Sequence, residues 1–470
     1  MHHEGLKELT SSTATLQKIV SLVATIGFIA YLAWSFNTGA EGEVIFYQIA
    51  AALAGVVYLL TFMDVILGLA FLIACIGLSP EISLVGLHDL RLEDFVVPAL
   101  LLAWMTRASY ARETLAPLQI KGPLLAYFAA IMMATLVGLA ADTTPSERAF
   151  LTLAKHVEYF AIFLLIINNV RTEGEFRALV TFSIMIAMMA ALLGAGRAAD
   201  DGSARLHGPE GETANIFGGY LTLHVAVAVG LFLHSTNIPA RASASVAILV
   251  IGTALLFTYS RTSYGALFLA VAIFGLIKNR RLLLIVLLVS VLFPLLAPEA
   301  VQERMATMTP LATGGPGPSS WISRILAWDD VFRKVFDSSP LLGFGLGSVR
   351  LGDVDSEYVR ILSDTGLVGV LLFAWILLRL LLRANASYAA LPPSGFARGY
   401  AAGYLIALVA MTIHAFAATS FTAIRTMECF MLLTGFAICL ANRRVEWGLD
   451  LPASLPELSP AQDAPTPAVR

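Results

Sequence analysis

Long apolar runs separated by short polar breaks organise this chain. They occupy about 17–36, 44–63, 65–79, 93–106, 123–141, 149–169, 176–196, 214–234, 243–259, 263–278, 282–297, 361–382, 399–418 and 421–441. A bilayer core about 30 Å thick takes roughly 20 helical residues per crossing. Inside it, each backbone N–H and C=O must find a partner within the segment or a closed barrel. The pattern predicts an all-α polytopic membrane protein with about 12–14 transmembrane helices, because the third and fourth runs are short. Barrel strands would alternate apolar and polar residues over short segments, and these runs do not. No self-similar repeat is visible. The first run lacks a small-residue cleavage site after it and reads as a retained helix.

Two polar stretches are long, 197–213 and 298–360. Within the second, Ile322, Ile325, Leu326, Val331, Phe332, Val335 and Phe336 follow a helical period, which predicts an amphipathic helix. It either lies on the membrane or packs on the bundle. The expected organisation is a cytoplasmic N-terminus (1–15), a transmembrane body (16–445) with its large loop at 298–360, and a disordered, proline-rich cytoplasmic tail (446–470).

Composition agrees: 58% of the 470 residues are hydrophobic, 13% are charged and mean hydropathy is +0.78. So few charges cannot cover the surfaces of several soluble domains. A net charge of −3 gives no basic field, so nucleic acid is not an expected partner. Cys75, Cys429 and Cys439 sit inside apolar runs without metal-ligand spacing and read as small buried hydrophobes.

Charge orients the chain. With both termini cytoplasmic, more than half of the 30 Lys and Arg fall in short inner loops, as in the cluster Lys278, Arg280, Arg281. The remaining cations lie at or toward the outer side, where topology gives them no purpose. Arg261 stands between two runs with almost no loop. It either snorkels to lipid headgroups or binds an anion beside the hydroxyls of Ser260, Thr262 and Ser263. Arg205 belongs to the 197–213 loop, which leads into a run opening with Asn215. Arg324 lies on the amphipathic segment. Gly343, Gly345 and Gly347 suggest a backbone nest for an anion. Asp355 and Glu357 precede the next run and are candidate general bases, or a salt-bridged cluster. Lys155 and Glu158 share one helix face at membrane depth, where ionisable residues are functional candidates or paired structural groups.

In this order the pieces resemble the bacterial O-antigen ligase and O-antigen polymerase family. The resemblance rests on Ser260-Arg261 with Gly265, then Arg324 and Trp328 on one helix, then Pro340-Leu341-Leu342-Gly343-Phe344-Gly345. It continues through Asp355-Ser356-Glu357-Tyr358 and the Leu-x-x-x-Gly-Leu-x-Gly of residues 362–369, with Arg205, Gly208, Asn215 and Gly219-Tyr220 upstream. The clear likeness spans about 200–375.

It implies an integral-membrane glycosyltransferase at the periplasmic face of the bacterial inner membrane. The donor would be an undecaprenyl-diphosphate-linked oligosaccharide and the acceptor a second lipid-linked repeat or lipid A core, with no metal or other cofactor. Polysaccharide chain-length or export proteins are candidate partners. Arg205, Arg261 and Arg324 would bind the diphosphate, Asp355 or Glu357 would serve as base, and Lys155, Tyr358 and Asn215 are secondary candidates. Ligases typically have His-Asn where this chain has Asp355-Ser356. That departure favours a polymerase making exopolysaccharide or O-antigen over a ligase. A transporter or flippase of lipid-linked sugar would show internal repeats and ionisable residues near the midplane, whereas here charges gather at one face.

Overall fold

A computed structural model of the chain describes residues 42–79, 82–84, 87–111, 115–118, 120–200, 205–208, 213–296, 319–349 and 354–450. The run at 17–36, the N-terminal segment before it, residues 298–318 of the large loop and the tail beyond 450 lie outside them. The other thirteen runs are all helices. They are α1 (Gly42–Met63), α2 (Val65–Leu78), α3 (Glu93–Ala111), α4 (Lys121–Ala140), α5 (Ser146–Asn169), α6 (Glu173–Asp200), α7 (Ala214–His234), α8 (Ile238–Phe257), α9 (Arg261–Lys278), α10 (Arg280–Leu296), α12 (Glu357–Ala390), α13 (Phe396–His414) and α14 (Ile424–Arg443). The helix expected in the large loop is α11 (Ser319–Ser338). Among the described residues, nine helices are long and apolar enough to cross a membrane: α4 to α9 and α12 to α14. The fold is thus that of a polytopic helical membrane protein. One small addition is a two-stranded antiparallel hairpin between α2 and α3, Ile82–Leu84 with Leu87–Leu90.

Helices α7, α13 and α14 are mostly buried, while α8 and α9 sit at the rim with mostly exposed faces. Small residues explain how the centre closes. Gly230 of α7 faces Gly399 and Gly403 of α13, so closely that a Cβ at any of the three would meet backbone of the other helix. Between apolar helices in lipid no water is expelled, so close backbone approach is a main source of association energy.

α12 is broken near its start. Gly366 has φ 63° and ψ −164° inside it, and the break exposes backbone groups that the helix would otherwise pair. The loop carrying Pro340 to Gly345 supplies the missing partners. Phe344 N–H donates to Ser363 O (2.7 Å) and Gly345 N–H to Asp364 O (3.0 Å). In return, Leu367 N–H donates to Pro340 O (2.9 Å) and Val368 N–H to Leu341 O (3.3 Å). Two motifs that look separate in sequence are one structure. A Cβ at Gly366 would overlap the Leu341 carbonyl, and its φ is left-handed. We expect Gly366→Ala to destabilise this junction by about 1–3 kcal/mol, read as a lower melting temperature of the purified protein. An unchanged melting temperature would contradict the account.

α11 packs on the bundle through Val331 and Val335, which meet Val354, Val359 and Leu362. Its opposite side leaves Ile322, Leu326 and Phe336 exposed.

Candidate functional site

Most polar contacts between distant parts of the chain gather at one end of the bundle. The turn from α8 to α9 is tight because Tyr259 adopts a left-handed backbone, φ 49°. Ser260 then caps α9, its hydroxyl accepting the Ser263 N–H at 3.4 Å. This makes Arg261 the first residue of α9, half-buried at its N-terminus, where free N–H groups and the helix dipole also favour an anion. Residues 205–208 dock on the same turn. Arg205 Nε donates to Thr258 O (3.2 Å) and Leu206 N–H to Phe257 O (2.9 Å). Arg205 and Arg261, 56 positions apart by their numbers, therefore flank one turn. Asn215 is half-buried in the first turn of α7. One turn further along that helix, Gly218 leaves no room for a Cβ, which would stand 2.5 Å from Ser263 Oγ.

Arg324 lies on α11. Its Nε lies 2.9 Å from Asp355 Oδ2, with side-chain exposures of 21% and 43%. The pair ties α11 to the start of α12. Of the three arginines grouped in the sequence, two flank the α8–α9 turn and the third pairs with the candidate base.

The two carboxylates part company. Asp355 is the accessible one. Glu357 is 2% exposed and already accepts three hydrogen bonds, from Phe421 N–H (2.9 Å), Thr422 N–H (3.1 Å) and the Thr422 hydroxyl (2.7 Å). It pins the loop between α13 and α14 and is poorly placed to take a substrate proton. Tyr358 is likewise engaged, its hydroxyl donating to Thr412 O (2.7 Å) and its ring 4.6 Å from that of Phe416.

The glycines of the expected anion nest, Gly343, Gly345 and Gly347, do have positive φ. Gly343 N–H, however, donates to Ser339 O (3.0 Å), and the amides of Phe344 and Gly345 serve the broken α12. Three of the amides that a nest would use are thus spent on the fold.

Lys155 donates to Asp94 and lies 2.9 Å from Glu158, so the expected pairing is there with a third member. Close by, Arg91 meets Glu93 at 2.9 Å, both buried. Arg425 donates to Gly77 O and Ser79 O. This network joins the end of α2 and the starts of α3 and α14 to the middle of α5. Glu428 is fully buried among these groups, and neither carboxylate oxygen has a hydrogen-bond partner among the described residues. The signal for these residues was present in sequence: Glu93 and Asp94 open an apolar run, and Arg425 and Glu428 stand three apart inside another. Among the described residues, no group of three or more His, Cys, Asp or Glu is placed to hold a metal ion.

Beside the Arg324–Asp355 pair, a cleft of about 430 Å³ separates α11 from the glycine loop and α12. Thr143, Asp330, Lys334, Phe344, Ser348 and Ser363 line it, and Val354 forms its edge next to Asp355.

Helices long and apolar enough to cross a membrane, with cationic and hydroxyl groups at the α8–α9 turn and at the α11–α12 junction, define a class: polytopic helical membrane proteins. Residues 244–374 match the family model described as O-antigen ligase, which supports the O-antigen ligase/polymerase family for this chain. The match contains Arg261, Arg324, Asp355, Glu357 and Tyr358. It begins downstream of Arg205, Asn215 and Lys155, so it is shorter than the likeness expected from about residue 200. No curated protein matches the chain.

Proposed function

We propose that this protein polymerises undecaprenyl-diphosphate-linked oligosaccharide repeats at the periplasmic face of the inner membrane. The observation that carries the reading is the placement of Arg205 and Arg261 on one turn at the N-terminus of α9. A guanidinium offers a rigid fork of donors that matches phosphate oxygens. When the bond from the anomeric carbon to the carrier breaks, the diphosphate leaves with the electron pair, and cationic donors there stabilise the charge that develops. The acceptor hydroxyl attacks the same carbon and gives its proton to a base, for which Asp355 is the accessible carboxylate. The adjoining cleft, with hydroxyls and one aromatic ring, suits a sugar.

The rival is transfer of the glycan to lipid A core, and the description of the matching family favours it. The aspartate at 355 favours the polymerase. The purified protein, incubated with carrier-linked oligosaccharide, is expected to form a ladder of longer products without lipid A. Transfer seen only after lipid A core is added would establish the ligase instead. Neither product would overturn both.

A further inference from the structure

We infer that His414 is a positioning residue that fixes the geometry of Arg261 relative to Asp355; the inference rests on the reading of those two residues given above. His414 ends α13 and is 1% exposed. Its Nε2 lies 3.0 Å from Ser263 Oγ and its Nδ1 2.7 Å from Ser420 Oγ. Ser263 Oγ is also 2.8 Å from Ser260 Oγ, the hydroxyl that caps α9. One ring nitrogen therefore holds the first turn of α9, which begins at Arg261.

The other nitrogen holds the loop between α13 and α14. Ser420 precedes Phe421 and Thr422, the two residues gripped by Glu357. Glu357 N–H in turn donates to Ala415 O, next to His414, at 3.0 Å. Glu357 lies two residues after Asp355, which pairs with Arg324. A path of hydrogen bonds joined by short stretches of backbone thus runs from the helix start at Arg261, through the imidazole, to the start of α12 at Glu357, two residues after Asp355.

The surroundings are shaped for this arrangement. On α7, Gly218 faces Ser263, and a Cβ at Gly219 would stand 3.3 Å from His414 Cε1. Two adjacent glycines leave room for the two partners of one bond. A neutral imidazole has one donor and one acceptor. Serine hydroxyls can turn to serve either, so both ring nitrogens are satisfied and the ring has one orientation. Buried hydrogen-bonded chains of this kind make neighbouring elements rigid when complete and are costly when broken. The hydrogen bonds of the imidazole go to Ser263 and Ser420, and through them it acts on the residues assigned to substrate.

The full-length purified protein tests this with carrier-linked oligosaccharide at varied concentration. His414→Ala is expected to lower turnover per folded molecule roughly 100-fold, the scale of a 1 Å misplacement. Donor KM should change less than about threefold, because binding contacts remain. His414→Gln, which keeps a donor and an acceptor, should recover much of the turnover. Adding Ser263→Ala to His414→Ala should cost nothing more, since both break one chain of bonds. Normal turnover per folded molecule in His414→Ala, with only a lower melting temperature, would overturn the inference, as would losses that multiply in the double variant.

A second readout needs no substrate. In a Thr262→Cys background, the first turn of α9 is probed by the rate of maleimide labelling in detergent. The native Cys75, Cys429 and Cys439 are buried. His414→Ala should raise the labelling rate at position 262 several-fold; an unchanged rate overturns the positioning role. Faster labelling in a protein that elongates no lipid-linked glycan would leave the positioning role standing and remove the proposed reaction.

Discussion

Arg261→Ala is expected to abolish product while the protein remains in the membrane at its normal level. Loss of a single preorganised donor to a developing anion costs about 10²–10³ in turnover, and in the proposed reaction that anion is the carrier's diphosphate, held by Arg205 and Arg261. The fold should tolerate the change. The cap of α9 is the hydroxyl of Ser260, and the first turn is held through Ser263 and His414, so the Arg261 side chain is not what anchors the helix. Arg261→Lys keeps the charge without the fork and should fall between wild type and Ala. Arg205→Ala should match Arg261→Ala, although it also releases the contact to Thr258 O. The measurement is polymer length on a gel against protein level by immunoblot. Normal polymer from both alanine variants would remove the diphosphate assignment.

The helices were legible because lipid imposes a simple rule: each crossing must pair its own backbone, so hydrophobic length shows directly in the chain. Even the short runs at 65–79 and 93–106 are helices, Val65–Leu78 and Glu93–Ala111. The second extends past Arg107, where a charge makes the apolar run look finished. The site was legible in part. Charges without a topological purpose pointed to Arg261 and Arg205, and the fold brings these together.

What periodicity cannot convey is which distant side chains meet. Arg324 and Asp355 are separated by 31 positions and Ser263 and His414 by 151. His414 lies inside the apolar run at 399–418 and shows no local motif. The glycines at 343, 345 and 347 gave a correct backbone signal, but the amides of Gly343 and Gly345 are spent on Ser339 O and on the broken start of α12, which no local pattern announces. Glu357 and Asp355 are near neighbours in sequence with the same chemistry. Only the path of the loop between α13 and α14 decides that one is buried and spent while the other is accessible.

That difference gives the second large effect. Asp355→Asn is expected to lower turnover by about 10²–10⁴, the range for loss of a general base, with protein level unchanged because the position is 43% exposed. The ion pair with Arg324 makes the outcome informative. If Asp355 serves only to hold Arg324, then Arg324→Ala must reproduce the loss, and the double variant must be no worse than either single one. If Asp355 takes the proton, Arg324→Ala removes a neighbouring cation and costs less than Asp355→Asn, and the double variant falls to the Asp355→Asn level. Comparison of Asp355→Glu separates the two further: a longer carboxylate can still accept a proton but shifts the 2.9 Å contact to Arg324. Full activity in Asp355→Asn would remove the base from this position altogether. Since Glu357 is committed to Phe421 and Thr422, the reaction would then proceed without a carboxylate base from this segment, its rate resting on the arginines and on alignment of the two sugars.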